Sequence, residues 1–431
     1  MTPSKQLPSL SAAGAALLRR DVMTRRVVWV HAPEATPPPG TLGWPHSSIA
    51  DLAVLGLVPC VVLPGAEGPA PNHAVVLDAT PDAEATAPIE ACARELLLDS
   101  LLRAAAASEP ASPLRFSVII ATYQRVARAI QAVQACYDLA YPHEAYELIV
   151  VDNDQDHEPL QAALRACQQE QDGSGPALRL CHMPITGVSV ARNAGISLTR
   201  GEIIASLDDD CLPETAWLAK LDEAWQALPD AGVIGGKLLL QLPDPAPEVF
   251  QPGWEALWSH LPLSGDQLIR CEGWRSYPWG GNWSARRDTL LRLGGFPWRY
   301  GSRGCPYAGG EEIALGAAIA LEGLPLYLSP AATVVHSPST DRYTMEHVRQ
   351  TMAAGALLEH RLYQDGLIPT AASRWGTLGQ MLRAAGTMVA AGMLGQRAMA
   401  RDRRLRLGAL ANKLLVQWGL RHVYPQDTQN P

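Results

Sequence analysis

Four features are missing from this chain, and each absence removes a class of protein. No two cysteines stand in a Cys-x-x-Cys spacing; the eight (Cys60, Cys92, Cys136, Cys167, Cys181, Cys211, Cys271 and Cys305) are scattered. That excludes a disulfide framework or a zinc site built on such pairs, and suits free thiols in a reducing cytosol. No run of 18 or more apolar residues occurs, so no spanning helix is expected. A basic excess is missing too: the net charge is -8. General nucleic-acid binding needs a basic face, so no nucleic-acid partner is expected, although a few local cations can still hold a phosphate. Finally, there is no Gly-x-Gly-x-x-Gly or Gly-Lys-Ser/Thr loop after a strand, which argues against dinucleotide-binding dehydrogenases and P-loop NTPases. The weak apolar patch Ala12–Leu18 is followed by Arg19 and Arg20, the reverse of a secretory leader.

What is present is long enough for two or three domains, at 431 residues, and apolar enough for a sizeable core, at 47%. One stretch stands out. The apolar run Ile203–Leu207 ends abruptly in Asp208, Asp209 and Asp210, and Pro213 reads as the stop before a helix from Thr215 to Trp225. A short apolar run bounded by turn residues fits a buried parallel strand, and open α/β sheets bind ligands at the carboxyl ends of such strands. Three adjacent acids repel one another unless a cation sits among them, and hard divalent metals favour oxygen ligands. The alternative is a solvated acidic turn or a helix N-cap.

Residues 1–103 read as a small α/β accessory unit. Its strands are expected at Val27–Val30, Cys60–Leu63 and Ala74–Leu77, and its helices at Ser48–Leu57 and Ile89–Leu102. His31, His46 and His73 are isolated and belong to no constellation. Residues 104–114 read as a linker. From Phe116 the pattern changes. Strands at Ser117–Ala121, Tyr146–Val151, Leu178–His182 and Ile203–Leu207 alternate with helices at Val126–Leu139, Glu158–Gln171 and around Ala191–Gly195. That alternation predicts a doubly wound, mostly parallel sheet over 115–342. Further strands are expected at Val233–Lys237 and Ala332–Val335, with helices starting at Arg286–Asp288 and Gly310.

Residues 116–340 resemble the family 2 glycosyltransferases, which have the GT-A fold. Ordered blocks carry the resemblance: Val118–Tyr123, Ile149–Asn153, Gly187 with Ala191-Arg192-Asn193-x-Gly195, and Leu207–Asp210 with Pro213. Then come Gly280-Gly281-Asn282 with Arg286-Arg287, Gly294-Gly295-Phe296, Gly310-Glu311-Glu312 and Val334-Val335-His336. The resemblance implies transfer of a sugar from a nucleotide-diphosphate-sugar to a hydroxyl, usually with inversion, on a cell-surface glycan or lipid-linked acceptor. It implies a divalent metal, Mn²⁺ or Mg²⁺.

The resemblance also assigns residues. Thr122 and Asp152 would line the nucleobase and ribose pocket, with an Asx-turn as the alternative for Asp152. Arg192 would bind phosphate or pair with Asp208. Asp208-x-Asp210 matches the family's Asp-x-Asp motif, with Asp208 toward the nucleotide, Asp210 on the metal and Asp209 in the variable middle position. His336 falls where relatives place a metal ligand, and imidazole suits Mn²⁺ better than Mg²⁺. Trp279, Gly281, Asn282 and Trp283 would line the acceptor side. The family's usual Glu-Asp is Glu311-Glu312 here, so Glu312 is the expected general base and Glu311 the alternative. Gln124, Arg125 and Arg342 are weaker donor-site candidates. Trp254, Trp258 and Trp274 either stack on sugar or cover the core.

Residues 343–425 read as amphipathic helices with a cationic excess over 374–422. Such helices either lie on an anionic membrane surface or pack as a cap with a basic face. The Gln-x-x-Arg-Trp motif of processive synthases is missing, since Ser373-Arg374-Trp375 lacks the Gln. A single-addition enzyme in the cytoplasm, at the inner face of the membrane, is therefore expected. A catalytically weak nucleotide-sugar or glycan-binding relative is the second reading. A nucleotidyltransferase is the third, and the missing Gly-rich, cation-bearing loop counts against it.

Overall fold

The computed structural model describes residues 18–22, 25–31, 35–39, 41–45, 57–63, 74–104, 114–171, 174–183, 185–301 and 309–418. The Ser48–Leu57 helix, His46, His73, Cys305, most of the 104–114 linker, most of the Ala12–Leu18 patch and the end of the C-terminal region lie outside them.

The first sheet has four parallel strands: β1 (Val28–His31), β2 (Leu42–Pro45), β3 (Cys60–Val62) and β4 (Val75–Val76), in the order β2-β1-β3-β4. Composition hides β2, because Gly43 and Pro45 read as loop. It lies at the sheet edge, where a missing N–H costs no ladder bond. Helix α1 (Ala83–Ala104) starts six residues earlier than the expected Ile89, and Pro88 lies inside it.

The second sheet carries the site. Its parallel half is β5 (Phe116–Thr122), β6 (Tyr146–Asp152), β7 (Ala177–His182) and β8 (Ile203–Asp208). Helices α2 (Val126–Tyr137), α3 (Glu158–Glu170) and α4 (Val188–Leu198) make the crossovers. Continuous apolar runs such as Val118–Ile120 suit strands covered on both faces. Alternation then splits them. Ile119, Ile149 and Val151 enter one core, whereas Val118, Ile120, Leu148 and Val150 enter the other.

Beyond Asp208 the chain departs from the expected strand-then-helix. Asp209 and Asp210 form a tight turn, and β9 (Cys211–Pro213) follows. Pro213 is thus part of a strand, and α5 (Trp217–Ala227) begins later than Thr215. Next come β10 (Val233–Leu240), β11 (Ile269–Arg270), β12 (Trp283–Arg286), α6 (Arg287–Arg292), α7 (Glu311–Leu321) and β13 (Leu326–His336). The sheet order is β11-β13-β10-β12-β8-β5-β6-β7, with β9 paired to β13. β12 runs antiparallel between β8 and β10, so the sheet is mixed but mostly parallel. The expected α/β fold class holds.

Three long helices close the chain: α8 (Met345–Gln364), capped by Thr344, then α9 (Arg374–Met393) and α10 (Arg397–Gln417). No helix among the described residues is long and apolar enough to cross a membrane. Trp375, Leu382, Val389 and Met393 fall on one outward stripe of α9, and all are exposed. The apolar and basic residues of α10 instead alternate around its whole circumference.

The two sheets share a core: Val28, Val30, Cys60 and Val62 pack in the same cluster as Leu290, Phe296 and Trp298. Arg25 pins the junction. Its buried guanidinium donates to the carbonyls of Leu57 (2.6 Å) and Gly294 (2.7 Å) and pairs with Asp21.

Candidate active site

Strand register builds the site. Thr122 stands opposite Asp152, Ala121 opposite Asp208, and Asp152 opposite His182, all at carboxyl ends of parallel strands. From the other side, the β9–β13 pairing sets His336 opposite Cys211. One residue separates Cys211 from Asp209, so the turn projects its acids into the same lip.

The acids divide. Asp208 and Glu311 share Arg192, which donates 2.7 Å hydrogen bonds to each. This guanidinium is buried, and although burial opposes its charge, Asp208, Glu311 and Glu312 hold its pKa above the ordinary value. Asp209 turns inward, accepting from Thr122 Oγ1 at 2.6 Å and pairing with Arg125 at 3.1 Å. Burial pushes its carboxyl up to about 6, against the lowering pull of Arg125. Thr122 and Asp209 thus satisfy each other.

Asp210 faces three cationic or imidazole partners: Arg125 at 3.0 Å, His336 Nε2 at 3.5 Å and Arg342 at 3.5 Å. Burial works against its ionised form, but His336, Arg342 and Arg125 outweigh it and hold the carboxyl well below the usual range. His336 Nδ1 lies 2.8 Å from the Trp258 carbonyl oxygen. A carbonyl only accepts, so Nδ1 donates there and Nε2 is the nitrogen that faces Asp210.

An Asp210 oxygen, Cys211 Sγ and a His336 nitrogen all lie within 4.8 Å of one another. Burial raises the Cys211 thiol well above its ordinary pKa, so it is held protonated. The remaining donors are one carboxylate and one imidazole, a set that fits a borderline-hard divalent ion. Sequence alone does not point to Cys211, because only the β9–β13 pairing brings it to His336.

Glu312 is half-buried, and among the described residues its carboxyl accepts only from its own backbone N–H. Burial first, then neighbouring Glu311, push its carboxyl up to about 8. It lines a cavity of ≈ 490 Å³ together with Arg192, Asp208, Glu311, His336 and Arg342. Trp279 and Gly281 line the same cavity. A Cβ on Gly281 would lie 2.9 Å from Cys211 Sγ, so glycine keeps this wall close.

Asp152 is buried at the β6 end. One carboxylate oxygen accepts from Asp154 N at 3.1 Å; the other has no partner among the described residues. Burial raises its pKa to about 6, with the Asp154 N–H opposing.

Two expected acceptor residues are instead core. Trp283 points inward against Phe296. Asn282 is fully buried and its amide is consumed: Trp217 Nε1 donates to it at 2.9 Å, and it donates to the carbonyls of Lys237 and Ala332, each at 2.9 Å. The antiparallel β12, not legible as a strand, draws Trp283 into the sheet, and the tight turn before it buries Asn282. Asn282→Ala should therefore cost about 3–5 kcal/mol, since it strands three buried polar partners. Urea unfolding checks this as a lower midpoint at unchanged slope; an acceptor-contacting residue would leave the midpoint in place. Trp254 and Trp258 also prove to be core, packed with Val348.

Residues 117–241 match the profile of Glycosyl transferase family 2. That segment is a family 2 glycosyltransferase segment. The chain is similar to the glucosyl-dolichyl phosphate glucuronosyltransferase of Haloferax volcanii, at 25% identity over 46% of this chain and 61% of that protein. It is also similar to glycosyltransferase AglE of the same organism, at 32% identity over 24% of this chain and 33% of that one. The matches thus span less than two thirds of these relatives' lengths. Among solved structures, a mannosyltransferase of Pyrobaculum calidifontis in complex with GDP-Man and Mn²⁺ aligns at 18% identity and a TM-score of 0.48, over 75% of this chain and 94% of that one.

Proposed function

We propose that this protein transfers a sugar from a nucleotide-diphosphate-sugar to a hydroxyl on a glycan or lipid-linked acceptor, by direct displacement with inversion. The observation that carries the reading is the juxtaposition, across one cavity, of Glu312 and a His336 whose Nε2 stands 3.5 Å from the buried Asp210. The similarity to a glucosyl-dolichyl phosphate glucuronosyltransferase supports a lipid-phosphate acceptor. The outward stripe of α9 and the cations around it support peripheral contact with an anionic membrane.

Asp210 and His336 Nε2 would hold the divalent ion, which when bound offsets the charge on the departing diphosphate. Arg342, which lines the cavity, would meet the same phosphates, with Arg125 beside it on Asp210. Asp152 offers its unpartnered oxygen to a base N–H. Arg192 fixes Asp208 and Glu311 together, making it a positioning residue. Glu312 takes the proton of the acceptor hydroxyl as that oxygen attacks the anomeric carbon. The bond to the diphosphate oxygen breaks, and the electron pair leaves with the nucleoside diphosphate.

A panel of nucleotide sugars with Mn²⁺ tests the reading, scored by release of nucleoside diphosphate with and without added acceptors. Release from at least one donor is expected, abolished by EDTA. The base must be ionised, and burial raises its pKa, so the rate should climb as pH rises through about 8. No release from any donor, or a rate falling across that window, contradicts it.

A further inference from the structure

A second cavity, of ≈ 890 Å³, lies between α8, α9 and α10. It meets the first along shared walls, at Leu257, Trp279, Ile313, Thr351 and Leu358. Its character differs. Apolar side chains such as Trp274, Met352 and Leu410 form much of the lining, and five cations face it: Arg275, Arg383, Arg403, Arg406 and Lys413.

Carboxylates account for only part of that charge. Glu359, the one acid in the lining, takes both Arg275 (2.9 Å) and Lys413. Asp402, behind the wall, takes Arg406 at 2.9 Å and stands 3.9 Å from Arg403. Arg383 has no carboxylate partner among the described residues, and Arg403 Nε is buried without a hydrogen-bond partner. Five cations against two acids leave the cleft three positive charges in excess, 5 − 2 = 3. A water-filled apolar cleft with surplus guanidinium groups is poorly satisfied alone, whereas a phosphate accepts paired N–H donors from arginine.

We propose that this cleft binds the phosphate of the acceptor, with Arg383 and Arg403 on the phosphate and the attached apolar chain along the Trp274–Met352–Leu410 wall. The acceptor's sugar hydroxyl then reaches Glu312 through the shared mouth. This inference rests on the transferase reading above and adds the acceptor's chemical class and seat.

The test uses decyl phosphate, with decyl maltoside as the uncharged control, titrated into the full chain by calorimetry. Saturable binding of decyl phosphate is expected. Arg383→Glu/Arg403→Glu should weaken it at least tenfold, and Arg383→Lys/Arg403→Lys, which keeps the charge but not the paired N–H donors, should weaken it less. Arg383→Ala, at an exposed position, gives a several-fold loss even if the double reversal does not fold. Equal affinity for decyl maltoside, or no loss in the reversal and Ala variants, overturns the proposal. So does a reversal that lowers only adsorption to phosphatidylglycerol vesicles over phosphatidylcholine ones, which would assign the cations to bulk lipid. Nucleoside diphosphate binding with Mn²⁺ is measured on every variant in parallel. Its loss in the unmodified chain overturns the transferase reading, while its retention beside unchanged decyl phosphate binding overturns the cleft alone.

Discussion

Asp210→Ala is expected to lower Mn²⁺-dependent affinity for a nucleoside diphosphate by about 100-fold or more. Loss of a ligand should reach at least the upper end of the effect seen when a ligand's supporting group is removed. A second consequence distinguishes this from general damage. Asp210 is the carboxylate that both Arg125 and Arg342 approach. Without it, Arg342 loses its carboxylate and Arg125 keeps only Asp209, so both can turn more fully to the diphosphate. Binding without metal should therefore persist, or strengthen, and become strongly salt-dependent. Calorimetry with Mn²⁺ and with EDTA, at two salt concentrations, reads both effects. A variant that loses metal-dependent and metal-free binding together would point to a structural role for Asp210.

Glu312→Gln is expected to leave nucleoside diphosphate binding within a few-fold of the unmodified protein and to cut transfer by roughly 10²–10⁴. The substitution keeps the shape and removes the proton acceptor. The rise in rate through pH 8 should vanish with it. Glu311→Gln should behave differently. Glu311 pairs with the buried Arg192, so weakening that pair should lower thermal stability and donor binding before it touches the pH profile. If Glu311→Gln flattened the pH profile and Glu312→Gln did not, the base would be Glu311.

Much of this was legible in the sequence for simple reasons. Buried parallel strands are short apolar runs, and the unbroken stretches Val118–Ala121, Leu148–Val151 and Ile203–Ala205 mark three of them. Their carboxyl ends then place Thr122, Asp152 and Asp208 along one edge of the sheet, where Asp208 lines the cavity. What periodicity does not encode is which strands pair. β12 carries Trp283 into the sheet interior and the turn before it buries Asn282, so two residues in an aromatic, glycine-rich block that reads as a binding loop are structural. The β9–β13 ladder likewise puts Cys211 beside His336, although 124 positions, 336 − 211 = 125 less one, intervene. The division of the three aspartates is also invisible in their spacing. Asp209 and Asp210 share Arg125, but Asp209 also meets Thr122 while Asp210 also meets His336 and Arg342. The acceptor cleft arises from three helices distant in sequence, and no local pattern announces it.

The central claim is that Asp210 and His336 hold a divalent ion against a diphosphate. Anomalous diffraction from crystals grown with Mn²⁺ and a nucleoside diphosphate tests it most directly. The account predicts a manganese peak bonded to an Asp210 oxygen and to His336 Nε2, with the diphosphate on its open side. A peak bonded to neither residue, or a diphosphate bound there on Arg125 and Arg342 with no metal between, would contradict it.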